Sequence, residues 1–294
     1  MFDPTFCTLC PRACGADRTK GVGFCGAGEK IKIARAAPHF WEEPCLSGTN
    51  GAGTVFFSGC PLHCAYCQNE KISKDAFGKE VTPERFTKIL FELKAAGVHN
   101  IDLVTPMHFA PQIRAAILPV KQALGIPVVI NTGGYDSPLQ LSYTEGVADI
   151  YLPDYKYCDA EGAAAFSSAP DYPEVAERAI REMVRQVGAP VFDENGLLLR
   201  GVLVRHLILP GRRKESIAAI ERLSRLFSPD KILLSVMSQF TPRPGALPPL
   251  DRRVTSFEAR SVVDRAAALG FRGYCQQRSS AKEEFVPAFD FTGV

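Results

Sequence analysis

No apolar run in this 294-residue chain approaches the ~20 residues that cross a bilayer, so no membrane partner is expected. Neither sign of charge dominates: 34 Lys and Arg stand against 32 Asp and Glu, a net charge of +2. A nucleic-acid footprint needs a clustered basic face, so nucleic acid is not an expected partner either. The start, Met1 to Cys7, lacks a basic stretch followed by an apolar core, and no secretory signal is expected. Internal repeats and low-complexity segments are missing too. What remains, 46% apolar and 22% charged residues, is the composition of an ordinary globular protein with a sizeable core.

Cysteine is the residue in excess. Of ten, five lie in the first 45 residues and three between positions 60 and 67. Without a secretory signal, tight spacings such as Cys7-x2-Cys10 indicate metal ligation rather than disulfides. The expected setting is a reducing cytoplasm, and an exposed iron–sulfur cluster favours anaerobic conditions.

From Gly53 onward short apolar runs alternate with longer amphipathic ones, the pattern of parallel βα units. Strands are expected at 54–58, 100–105, 127–131, 149–154, 201–209 and 231–237. Helices are expected at 83–96, 111–124, 138–145, 172–187, 214–227 and 256–269. Starts at Thr82-Pro83 and Ser137-Pro138, and ends at Gly97 and Gly125, support them. Six units are too few for a closed eight-stranded barrel. The fold expected is α/β: a partial (β/α)6 TIM-like barrel over residues 51–294, with a cysteine-rich, metal-binding extension over 1–50. A doubly wound open sheet is the alternative, which periodicity alone does not separate.

Directly after the first strand stand Cys60-x3-Cys64-x2-Cys67. Structural zinc takes four ligands, and so does a four-iron cluster that only carries electrons. Three thiolates leave one iron open. A structural zinc site borrowing His63 or Cys45 is the plainer alternative. The run Cys64-Ala-Tyr66-Cys67-Gln68-Asn69 resembles the radical S-adenosylmethionine (radical SAM) enzymes, and in particular the activating enzymes of that superfamily. The resemblance implies a [4Fe-4S] cluster on Cys60, Cys64 and Cys67 as the catalytic centre. The open iron there is chelated by SAM, and one electron cleaves SAM to a 5'-deoxyadenosyl radical. It also implies Tyr66 against the adenine.

In parallel α/β folds the site gathers at strand C-termini. After the second strand the chain reads Thr105-Pro106-Met107-His108 and lacks the Gly-Gly-Glu of most relatives. The backbone carbonyls of Thr105 and Pro106 stand where the SAM amino group is held. After the third strand Asn131-Thr-Gly-Gly resembles a turn of the glycyl-radical-enzyme activases. Asp154-x-Lys156 after the fourth matches their Asp-x-Lys motif, near the SAM carboxylate. After the fifth, Arg205 and His206 alternate across the strand. The resemblance assigns His206 to the barrel interior, with Arg205 on an outer carboxylate. Cys158 is the candidate for an extra reactive thiol.

Cys7, Cys10, Cys14 and Cys25 have C-x2-C-x3-C-x10-C spacing. Four thiolates close a site for zinc or a second [4Fe-4S] cluster. The segment 34–48 shows neither helix nor strand period. The resemblance is to the pyruvate formate-lyase-activating-enzyme-like subfamily. It implies an oxidoreductase that abstracts hydrogen, with flavodoxin or ferredoxin as electron donor. Glycyl-radical activation of a protein partner is its narrower form. Radical modification of a peptide, an RNA or a small metabolite stays open, as does a non-catalytic iron–sulfur or zinc scaffold.

Overall fold

The computed structural model describes residues 2–275 and 287–294. Ten strands occur among the described residues: β1 (Lys32–His39), β2 (Ala52–Phe57), β3 (Lys79–Glu80), β4 (Ile101–Val104), β5 (Val128–Thr132), β6 (Ile150–Pro153), β7 (Val191–Phe192), β8 (Leu198–Leu207), β9 (Leu233–Met237) and β10 (Gly273–Cys275). They form one sheet in the order β10-β9-β8-β6-β5-β4-β2-β1-β3, with β7 a hairpin partner of β8. From β2 to β10 every neighbour on that path is parallel. Those parallel strands also follow chain order without reversal. A doubly wound sheet reverses at a switch point, so the fold is the partial barrel.

The helices are α1 (Pro44–Ser47), α2 (Glu70–Ser73), α3 (Pro83–Ala95), α4 (Ala110–Ile117), α5 (Lys121–Leu124), α6 (Pro138–Thr144), α7 (Ala160–Ser167), α8 (Tyr172–Val187), α9 (Arg213–Leu226) and α10 (Ser256–Ala268). All six expected strands and all six expected helices are present, one of them divided. The helix expected over 111–124 is broken by a 3-10 turn at Leu118–Val120. Pro119 has no N–H to continue the ladder and crowds the preceding turn. The starts are capped as their residues suggest. Thr82 Oγ1 accepts from Arg85 N, and Ser137 and Gln140 close a reciprocal capping box.

Alternate residues of each strand separate two layers. Val128 and Ile130 face the helices in the main core. Val129, Ile150, Leu152, Leu203 and Leu233 line the concave face, where Cys45 and Leu46 of α1 cover them. Burying Leu46 stabilises the fold by about 1.5–3 kcal/mol. The segment read as lacking period holds β1, which pairs antiparallel with β2 from Ile33↔Phe57 to His39↔Ala52. Among the described residues no helix is long and apolar enough to cross a membrane.

Candidate active site at the strand ends

The loop after β2 turns sharply. Gly59 has φ +95, and a Cβ there would stand 2.4 Å from the Cys25 carbonyl oxygen. His63 takes a left-handed φ of 51, which reverses the chain between Cys60 and Cys64. Each sulfur has a polar neighbour. Leu62 N–H points at Cys60 Sγ at 3.4 Å, Ser167 Oγ donates to Cys64 Sγ at 2.9 Å, and Ser73 Oγ lies 3.2 Å from Cys67 Sγ. Burial first, then the neighbouring thiols, push Cys60 up to about 12. Burial likewise raises Cys64. As free thiols Cys60 and Cys64 are neutral; a metal would take them as thiolates. Among the described residues no three His, Cys, Asp or Glu side chains converge as a single ion requires. In a four-iron cluster each thiolate binds its own iron, so three separate sulfurs with donors aimed at them suit that group.

Tyr66 is buried, its hydroxyl sharing a 2.8 Å hydrogen bond with Tyr157 and its ring edge-on to Phe240. Thr105 has φ 57, a strained value for a β-branched residue, and its N–H donates to the Asn131 carbonyl at 2.7 Å. The Pro106 carbonyl accepts the Phe109 N–H at 2.8 Å. A cavity of about 20 Å³, room for one water, lies among Cys60, Thr105, His108, Thr132 and Asp136. Burial pushes His108 down to about 3. Its Nε2 reaches the Ser58 carbonyl at 2.8 Å while its buried Nδ1 has no partner.

The turn after β5 approaches the end of β6 closely: a Cβ at Gly134 (φ +79) would meet the Asp154 carbonyl at 2.2 Å. Only glycine fits there. Asp154 Oδ2 accepts from Lys156 Nζ at 2.5 Å and its Oδ1 from Arg205 Nε at 3.0 Å. Burial alone would raise this carboxyl. The Lys156 ammonium and Arg205 guanidinium outweigh it and hold Asp154 below the usual carboxylate range. Lys156 is raised in turn: burial opposes its charge, and Asp154 outweighs that. Lys156 also lies within electrostatic reach of Cys64.

The side chains after β8 correct the sequence reading. Arg205, not His206, faces the interior. Its NH2 donates to Asn131 Oδ1 at 2.5 Å, and its NH1 lies 3.5 Å from Glu42. His206 shares its parity with Val202 and Val204 of the helix-side core. Its Nδ1 contacts the Tyr155 carbonyl at 2.7 Å. Cys158 is half-buried with its thiol raised by burial, which leaves it un-ionised and not activated.

Three acids around Arg205 escaped the sequence reading. Glu42 and Glu43 reach the strand-end network from the turn before α1, and Asp102 reaches it from β4. Burial raises all three. Both Glu43 oxygens and Asp102 Oδ1 are buried without a hydrogen-bond partner. Ser167, which donates to Cys64, was missed as well. The Glu42-Glu43-Pro44 step, paired acids before a proline helix start, was the one available signal.

The four N-terminal cysteines lie near one another: Cys10 and Cys25 are within electrostatic reach of each other and of Cys7 and Cys14.

A parallel partial barrel with three thiols on the loop after its first parallel strand defines a class of iron–sulfur enzyme fold. Residues 47–143 match the family model described as a 4Fe-4S single cluster domain. The chain is 27% identical over 277 residues to an uncharacterised protein of Methanocaldococcus jannaschii, covering 88% of this chain and 74% of that protein. It is 33% identical over 114 residues to the pyruvate formate-lyase-activating enzyme of Clostridium pasteurianum, covering 37% of this chain and 47% of that one. A radical SAM methyltransferase from Sphaerobacter thermophilus has a similar fold, with a TM-score of 0.53 at 14% identity over 76% of this chain and 65% of its own. The chain is thus similar to a pyruvate formate-lyase-activating enzyme over part of its length, and it shares its fold with a radical SAM methyltransferase. The match to the 4Fe-4S single cluster domain supports a four-iron cluster in this chain.

Proposed function

We propose that this chain is a radical SAM enzyme in which Cys60, Cys64 and Cys67 hold the four-iron cluster. In this reading residues 51–294 carry the chemistry and residues 1–50 are an extension laid against them. The observation that carries it is one buried site where the Cys64 sulfur lies within electrostatic reach of the Asp154–Lys156 pair. When bound, the cluster supplies one electron that breaks a sulfonium C–S bond of SAM, giving methionine and a 5'-deoxyadenosyl radical that takes hydrogen from the substrate.

The protein's own groups prepare this. Ser167 and the Leu62 N–H favour the thiolates by donating to them. Lys156 and Arg205 keep Asp154 ionised, so the site offers fixed charges of both signs to the zwitterionic end of SAM. Tyr66 supplies an aromatic wall for the adenine, anchored through Tyr157. The Asn131 turn and the Thr105 and Pro106 carbonyls supply backbone for the amino group. Flavodoxin or ferredoxin is the electron donor. The narrower reading is activation of a glycyl-radical enzyme. Asp154-x-Lys156 and the partial match to the Clostridium pasteurianum activating enzyme support it.

Anaerobic reconstitution tests the proposal. The reduced cluster should give an EPR signal that changes on adding SAM, and dithionite should yield 5'-deoxyadenosine. An unchanged signal with no 5'-deoxyadenosine sinks it. Following deuterium from candidate substrates into 5'-deoxyadenosine separates the glycyl-radical reading from others.

A further inference from the structure

We propose that Cys7, Cys10, Cys14 and Cys25 form a second thiolate site, suited to a four-iron cluster, and that filling it fixes the backbone of the loop that carries Cys60. The site stands apart from the function proposed above; only the identity of the loop it steadies rests on that reading.

The knot is built around its sulfurs rather than around a core. Leu9 and Ala27 are its buried aliphatic side chains, too few to hold some twenty residues by the hydrophobic effect alone. Short backbone bonds tie it: Cys7 N to Ala16 O at 3.0 Å, Gly15 N to Cys7 O at 2.9 Å, Ala13 N to Cys10 O at 3.0 Å. Cys10 and Cys25 lie within electrostatic reach of each other and of Cys7 and Cys14. Gly23 leaves a cradle between two of the sulfurs: a Cβ there would stand 3.3 Å from Cys14 Sγ and 3.7 Å from Cys25 Sγ. Among the described residues no three His, Cys, Asp or Glu side chains converge as a single ion requires, so a four-iron cluster, in which each thiolate binds its own iron, is the group that suits the knot.

The knot also grips the loop at several points. Cys60 N–H donates to the Cys25 carbonyl at 2.9 Å. Arg12, between Cys10 and Cys14, donates through Nε to the Pro61 carbonyl at 2.8 Å and through NH2 to the Ser167 carbonyl at 3.0 Å. That serine is the one whose hydroxyl reaches Cys64. The Phe24 ring stacks on His63 at 4.8 Å. A metal on Cys10, Cys14 and Cys25 therefore holds both residues, Arg12 and Cys25, that hold the loop.

The test removes the loop thiols from the full chain. The variant Cys60→Ser, Cys64→Ser, Cys67→Ser is made anaerobically and its metal and sulfide are counted. Retention of about four irons with four sulfides supports the site, and retention of about one zinc alone overturns the cluster assignment. A folded variant with neither overturns it. Stripping the retained metal should speed exchange of the amide at position 60 by about tenfold; unchanged exchange overturns the coupling. Should the variant not fold, the native chain is counted. Two centres support the proposal, and the loop cluster alone overturns it. These readouts need neither SAM nor turnover, so their failure is distinguishable from failure of the proposed function.

Discussion

Asp154 and Glu43 are both buried carboxyls beside Arg205, yet their surroundings are opposite. Asp154 has a cation on each oxygen. Glu43 has no hydrogen-bond partner on either. Asp102 lies between them, with Asn131 Nδ2 at 3.4 Å from one oxygen and nothing on the other. Burial raises every carboxyl, and only direct contact with cations reverses it. One guanidinium therefore sustains a single ionised acid toward the cluster loop, while its other neighbours are driven toward their protonated forms. The site divides into a charged half and a neutral half.

The largest expected effect breaks that division. Arg205→Met leaves Asp154 with one cation and Glu42 with none, and should cost ~3–5 kcal/mol by denaturant unfolding. Next, Asp154→Asn removes the anion shared by Lys156 and Arg205. It should lower 5'-deoxyadenosine formation by about tenfold or more, the worth of a charge-assisted hydrogen bond; an unchanged rate would separate Asp154 from SAM binding.

The two halves also predict opposite pH slopes. Asp154 has a lowered pKa, so its contribution is present above the unfolded value near 4 and is lost as pH falls. Glu43 and Asp102 are raised, so the stability of their protonated folded forms is full below about 4 and declines as pH rises. Asp136, raised by burial to about 7, gives the best-defined window. Stability should fall by up to about 4 kcal/mol between pH 4 and 7, and Asp136→Asn should flatten that decline. Glu43→Gln, replacing an acid already driven to its neutral form, should change stability near neutral pH by less than about 1 kcal/mol. A loss as large as that of Arg205→Met would mean Glu43 is ionised. The smallest effect is Ser167→Ala, worth about 1 kcal/mol through its bond to Cys64.

The barrel was legible because apolar runs, helix starts and glycine ends recur in step along residues 53–269. The three-cysteine loop was legible from spacing. The choice between Arg205 and His206 was not. In a strand buried on both faces the apolar pattern is continuous, so alternation says that the two diverge without saying which goes inward. Register decides it: Asp154 bridges to Arg205. Strand β1 was hidden because its alternation, with Arg35 and Pro38 interrupting, is irregular where the register shifts between Ile33 and Arg35. The burial of Glu42 and Glu43 was not legible, since nothing local announces that α1 lies against the concave face.

Arg12 binds the carbonyls of Ser167 and Ser168, 155 and 156 residues further along the chain. During synthesis the knot thus leaves the ribosome well before its dock and must wait for it. At typical elongation speeds the interval is roughly 10–30 s. Through that interval four thiols are presented to the cell without the barrel that later shelters three of them. On the metal site proposed above, capture of the knot during that interval would protect its thiols from oxidation and mispairing.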